Sequence, residues 1–142
     1  MIPSPDDALC AALTRATCRA LEQAEIFLPP DVVRALEAAR DRETSGIARG
    51  EIENILSNIR MAESLRVPIC QDTGVPVIYL TLPPGIPLSG TLLDAVAEGV
   101  RLATRTIPLR PNVVDPLTRK NTGDNTGPGM PAIHVRHGER LT

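Results

Sequence analysis

The chain has 142 residues and a mass of 15.2 kDa, the size of one ordinary domain or of half a larger one. Its 42% hydrophobic content and mean hydropathy of −0.01 fit neither a disordered nor a membrane-spanning chain, and no apolar run approaches the roughly 20 residues of a membrane helix. Only Phe27 and Tyr79 are aromatic and the net charge is −2, which excludes a base-stacking platform, an aromatic cage for quaternary ammonium groups and a broad nucleic-acid footprint. Any core must be aliphatic.

The acidic, proline-broken opening Met1-Ile2-Pro3-Ser4-Pro5-Asp6-Asp7 predicts no signal peptide, and the chain reads as cytoplasmic. Ser4 and Pro5 signal a helix start, with Asp6 and Asp7 where the N-terminal dipole favours negative charge. Leu9, Leu13, Ala16, Ala20 and Ala24 form the expected apolar stripe of this helix. Pro29-Pro30 ends it. A second helix is expected from about Asp31 to Arg42, with Val32, Val33, Leu36 and Ala39 inward. After Glu43-Thr44-Ser45-Gly46 a third runs to about Arg66 on a stripe of Ala48, Ile52, Ile55, Ile59 and Ala62, widened by Leu56 and Leu65.

The character changes near residue 67. Residues 1–66 carry 11 acidic and 8 basic side chains and 4 prolines, whereas residues 67–142 carry 6 acidic, 7 basic and 10 prolines. Val75 to Leu82 reads as a strand whose early Pro76 marks an end or an edge. Pro83-Pro84-Gly85 turns the chain, and Ser89 caps a fourth helix to about Thr106 with Leu93, Val96, Val100 and Ala103 inward. Residues 108–131 lack periodicity, and such long loops are commonly functional. Residues 131–136 read as a strand and His137-Gly138 as a turn. The expected architecture is α+β, a helical amino-terminal layer packed on a small mixed sheet. Because the chain stops just after a turn, an incomplete domain or a split polypeptide is expected.

Three cysteines divide into two kinds. Cys10 and Cys18 lie eight residues apart on the first helix, wider than the usual Cys-x2-Cys metal spacing, and read as reduced core residues. Cys70 lies in Pro68-Ile69-Cys70-Gln71-Asp72-Thr73-Gly74, between helix and strand, where a thiol, an amide, a carboxylate and a hydroxyl share one short loop. By spacing alone this is either a turn with an incidental cysteine or a chemically active loop. Leu109-Arg110-Pro111 sets a guanidinium beside prolines, suited to a bidentate carboxylate clamp. Asn121-Thr122-Gly123-Asp124-Asn125-Thr126-Gly127 reads by itself as a surface turn.

Together, Pro68 to Gly74, Leu109-Arg110-Pro111 and Asn121 to Thr126 resemble the iron–sulfur hydro-lyases, the class I fumarate hydratases and related L-tartrate dehydratases. Leu28-Pro29-Pro30-Asp31 and Glu53-Asn54 extend the similarity, which covers the chain from about residue 25. The resemblance implies a [4Fe–4S] cluster held by three cysteines with one open iron acting as Lewis acid. Cys70 matches the first ligand. Gln71 and Asp72 match substrate-contacting positions, Asp72 being the candidate for proton transfer, and Arg110 matches an arginine that pairs with a substrate carboxylate. No cysteine follows Cys70, so the other ligands are expected outside this chain. Gly127-Pro128-Gly129-Met130 stands where many members run on directly, which leaves His134 with at most a supporting role.

The resemblance therefore implies the amino-terminal part of a hydro-lyase alpha domain, helical over 1–66 and carrying a strand, a helix and active-site loops over 67–142. The expected reaction is (S)-malate to fumarate plus water, reversibly, with L-tartrate to oxaloacetate as the near alternative. The substrate is a C4 dicarboxylate. The expected partners are the remaining alpha region and a beta region or subunit in a homo- or hetero-oligomer, with no nucleic acid or membrane. A non-catalytic helical interaction module is the alternative from another class. Arg119-Lys120 and Arg136 are too scattered for a nucleic-acid motif.

Overall fold

Prolines and capping hydroxyls set most of the element limits. The computed structural model describes residues 5–142, so Ser4, half of the expected first start signal, lies outside the described residues. The elements are α1 (Pro5–Ile26), α2 (Pro30–Arg42), α3 (Gly46–Leu65), β1 (Val77–Leu82), α4 (Gly90–Thr106) and β2 (Ala132–His137). Pro29 and Pro30 open α2, where the missing amide donor is harmless. Ser45 Oγ accepts from Ala48 N at 3.4 Å to start α3, and Ser89 Oγ accepts from Leu92 N at 3.3 Å to start α4.

The buried side of α1 differs from the expected stripe. Leu13 and Thr17 are buried and Leu9, Cys10, Thr14, Cys18 and Leu21 half-buried, whereas Ala16, Ala20 and Ala24 are exposed. The reason lies in α4. A Cβ on Gly99 would stand 2.6 Å from both Thr14 O and Thr17 Cβ, so the two helices meet almost backbone to backbone. Threonines suit that contact because their hydroxyls find acceptors, as Thr14 Oγ1 does in donating to Ala95 O at 2.9 Å.

Strands β1 and β2 pair in parallel, from Val77↔Ala132 to Leu82↔His137. Helix α4 connects them, and a crossover helix returns the chain in the same direction. The sheet is thus a parallel pair where a mixed one was expected. At the far edge of β1, Thr81 exchanges both backbone bonds with Thr142 at 2.6 and 3.2 Å. Leu80, Leu82, Leu92, Ala95 and Val96 join Leu13 in the aliphatic core between α1, α4 and the sheet. Burying each leucine there contributes roughly 1.5–3 kcal/mol. Ile26, Ala103 and Ile107 form a second cluster at the other end of the same helix pair.

The α2–α3 pair is more loosely attached. Helix α2 has no buried residue, and the expected inward Val32 is exposed. On α3 Leu56, Ile59 and Ala62 are buried while Ile55 and Leu65 are exposed. Helix α3 packs on α2 and touches α1 only at its edge, so a narrower stripe is covered than the sequence presents. Glu53 ties the pair together, accepting from Arg40 Nη1 at 3.0 Å and Arg60 Nη2 at 2.9 Å. The long segment before β2 is ordered by its own bonds. Gly127 and Met130 exchange backbone bonds at 3.1 and 2.9 Å around Pro128-Gly129, with Gly129 at φ 72°, a two-residue turn that needs the left-handed conformation. Among the described residues no helix is long and apolar enough to cross a membrane.

Two consequences are measurable. Alanine is the better helix former by about 1 kcal/mol, yet Gly99→Ala should destabilise by about 1–3 kcal/mol through overpacking against backbone, lowering Tm in a thermal melt; a raised Tm would contradict the close approach. The arginines hydrogen-bonded to Glu53 hold its carboxyl below the ordinary 4.5. Its stabilising contribution is present above that value and is lost as pH falls through the lowered one. Amide-exchange protection in α2 and α3 should therefore weaken as pH falls below 4.5, and only modestly because the pair is exposed to solvent.

Candidate functional site

Three loops meet at the carboxyl end of α3 and below α4. The first, residues 67–75, leaves α3 through Arg66 in the left-handed conformation at φ 52°. Ile69 is then clamped from two sides: its N–H donates to Glu25 O of α1 at 3.0 Å, and its carbonyl accepts from Asn58 Nδ2 of α3 at 2.7 Å. The next residue is Cys70, which is exposed. Its thiol donates to Asp72 O at 3.5 Å, curling the loop back on itself. Gly74, at φ 64°, lets the chain turn into β1.

The second loop, residues 108–113, lies against the first. Arg110 N donates to Thr73 Oγ1 at 3.0 Å and Arg110 Nη2 to Gln71 Oε1 at 2.9 Å. Asn112 Nδ2 donates to Gly74 O at 2.8 Å. Cys70, Gln71 and Arg110 consequently line one open cleft of about 320 Å³, together with Asn58, Ile69 and Thr73. Asp72 is exposed and does not form part of that wall.

The third loop, residues 121–126, supports the second. Burial raises the Asp124 carboxyl, but bonds from the Thr126 and Thr122 hydroxyls and from Thr126 N, with Arg101 nearby, outweigh it and hold the group below 3.8. Arg101 Nε stands 3.5 Å from Asp124 Oδ2, which ties this loop to α4. Asn125 is buried and bonds to both Arg110 O and Asn112 N. Behind the loops lies a cavity of about 220 Å³ lined by Glu25, Thr73, Gly74 and Asn125 among others, and partial burial pushes the Glu25 carboxyl up.

Among the described residues Arg110 is one of several arginines without an ion pair, Arg136 on Thr81 Oγ1 being another, and what sets it apart is its place in the cleft. Arg40, Arg60, Arg66, Arg101 and Arg105 are each paired with a carboxylate. Arg110 instead bonds to a neutral amide, and among the described residues no carboxylate neutralises it. A guanidinium with unspent donors at the mouth of a cleft suits a bidentate anionic ligand.

The thiols are less concentrated. Cys10 and Cys18 pack between α1 and α4, with sulfurs 3.8 Å from Thr91 O and Thr106 Oγ1, as expected for core cysteines, though half-buried. Among the described residues no group of three or more His, Cys, Asp or Glu could hold a metal ion. This chain's own side chains therefore fit a cluster at one ligand position, Cys70, and not as a complete set. His134 lies on the outer face of the sheet, stacked on Tyr79 with ring centroids 5.0 Å apart. No separate role was read from sequence for Thr73, the hydroxyl of the Cys70 string, or for Asn125, and Asn112 was not named there. Asn125 alone carried a local signal, as an asparagine in a turn-forming run that adopts φ 61°.

Comparison with known proteins gives one consistent answer. The family model described as fumarate hydratase (Fumerase) matches residues 14–142. A Methanocaldococcus jannaschii protein provisionally named L(+)-tartrate dehydratase subunit alpha is 43% identical over 121 residues, 84% of this chain and 42% of the relative. A Geobacillus stearothermophilus protein provisionally named fumarate hydratase class I is 41% identical over 117 residues, 80% of this chain and 22% of the relative. The L(+)-tartrate dehydratase subunit alpha of Escherichia coli is 36% identical over 106 residues, 75% of this chain and 35% of the relative. The chain thus spans less than half the length of these curated relatives. The cleft and its three loops fall inside the matched region, and the chain belongs to the fumarate hydratase family.

Proposed function

We propose that this chain is the amino-terminal part of the alpha region of an iron–sulfur hydro-lyase that interconverts (S)-malate with fumarate and water. The main support is the bond between Arg110 and Gln71 beside Cys70, which joins residues 39 positions apart into one anion-suited cleft. In the proposed complex Arg110 takes one substrate carboxylate on its remaining N–H groups. Gln71 spends its carbonyl oxygen on Arg110, which leaves its amide N–H groups to donate to a substrate oxygen. Two such contacts fix a small dicarboxylate before proton transfer. Asp72 holds the proton exchanged at substrate C3, helped by a residue from outside this chain. In dehydration the C3–H electrons form the C2–C3 double bond as the proton passes to Asp72, and the C2 hydroxyl leaves and takes up one proton to become water; hydration reverses these changes.

Cys70 would be one of three thiolate ligands of a [4Fe–4S] cluster, which when bound supplies Lewis-acid polarisation of the substrate hydroxyl through its open iron. The two other ligands would come from the remaining alpha region, and a beta region or subunit would complete an oligomeric enzyme. The exposed thiol fits a cytoplasmic setting, where cysteines stay reduced. A second reading, L-tartrate dehydrated to oxaloacetate, draws support from the names of two of the relatives.

Competition between malate and L-tartrate on the assembled enzyme decides between the substrates, the preferred one having the larger kcat/KM. Cys70→Ser in that enzyme should remove both cluster absorbance and turnover; retention of both would rule out its role as ligand. Asp72→Asn should lower kcat by about 10²–10⁴-fold with cluster absorbance intact. An unchanged kcat would rule out Asp72 as the group that exchanges the proton.

A further inference from the structure

We propose that Asn125 is the positioning residue that aims Arg110 at its carboxylate, an inference that rests on the role given to Arg110 above. The Asn125 side chain is 4% exposed and makes four hydrogen bonds. Its Oδ1 accepts from Asn112 N at 2.8 Å and Val113 N at 3.3 Å. Its Nδ2 donates to Arg110 O at 3.0 Å and to Thr104 Oγ1 at 3.3 Å. A primary amide has two donor hydrogens and two acceptor lone pairs, so every one is used. No other residue type of that length reproduces the pattern. Aspartate keeps the acceptors and loses the donors, while leucine keeps neither.

The partners are as informative as the count. Thr104 stands on α4, and its hydroxyl lies 2.9 Å from Val100 O and 3.1 Å from Asp124 O. Asn125 therefore transmits the position of the best-packed helix to the Arg110 loop. Arg110 is held at both ends of its own residue, at N by Thr73 Oγ1 and at its carbonyl by Asn125. Two backbone anchors fix the direction in which Cα carries the side chain. With the carbonyl released, the residue pivots about the Thr73 bond, and the guanidinium at the end of a long side chain swings furthest. A displacement of about 1 Å at a substrate-positioning group can lower the rate by about 10²-fold. Asn125 does not itself line the cleft, and among its four bonds the one to a cleft residue is that to Arg110 O.

The test is a double-mutant cycle on the assembled, cluster-loaded enzyme, using its preferred dicarboxylate. Asn125→Asp should raise KM about 10-fold or more, with cluster absorbance unchanged. In an Arg110→Ala background the same substitution should change kcat/KM less than about twofold, because its route to the substrate is gone. Asn125→Gln, which keeps the amide one methylene too long, should not restore KM. If Asn125→Asp prevents assembly, Thr104→Val removes the α4 anchor without disturbing the left-handed backbone, and the same non-additivity with Arg110→Ala is expected. Equal losses in both backgrounds, or a lowered Tm with KM unmoved, would overturn the positioning role. If Arg110→Ala itself leaves KM unchanged, the carboxylate role of Arg110 falls, and the positioning role with it. An additive cycle on a damaging Arg110→Ala overturns the positioning role alone.

Discussion

The near backbone contact of α4 with α1 at Gly99 governs where the later residues of the chain can lie. With no side chain on Gly99, α4 settles onto Thr14 and Thr17, and the apolar side of both helices then faces β1. Because the helices meet so closely, α4 is held in place along most of its length. Its outward positions Arg101 and Thr104 become fixed points, and the loop at residues 121–126 is fastened to them. From that loop Asn125 reaches the carbonyl of Arg110, and from Arg110 the bonds run on to Thr73 and Gln71 beside Cys70. A glycine in a helix interior thus has consequences for a loop far along the chain.

The molecule divides unevenly in rigidity. Helices α1 and α4 and the parallel strands share a dry aliphatic core, whereas α2 and α3 are joined through surface ion pairs and a narrow buried stripe. Surface pairs of this kind contribute little individually and weaken with salt. The Cys70 loop lies at the border between these parts. It takes one anchor from α1, at Glu25 O, and another from α3, at Asn58. The cleft can therefore be firmly built on its Arg110 side and more adaptable on its α3 side.

Chemical completeness is divided in the same way as rigidity. In the proposed reading the groups that bind the anion lie within this chain, where Arg110 has no carboxylate partner among the described residues and Gln71 orients it. A cluster would find only one ligand there, the exposed thiol of Cys70, among the described residues. The relatives compared above are longer than this chain.

Local rules made much of this protein legible from its sequence. Pro29-Pro30, Ser45 and Ser89 act within one helical turn, so the limits of the four helices were predictable to within a few residues. Residue type and spacing alone left the Cys70 string and Arg110 open, and it was their joint resemblance to the hydro-lyases that singled them out. Tertiary structure alone decided which face of α1 is buried, since alanine is too weakly hydrophobic to mark a face and threonine is admitted once its hydroxyl finds an acceptor. It also decided the parallel pairing of β1 and β2, which depends on where α4 returns the chain. Asn125 shows the limit most clearly. In sequence it is one turn-former among several, and its importance comes from four partners on separate segments. Hydrogen-bond partners distant along the chain leave no periodicity behind, so only the folded arrangement can reveal them.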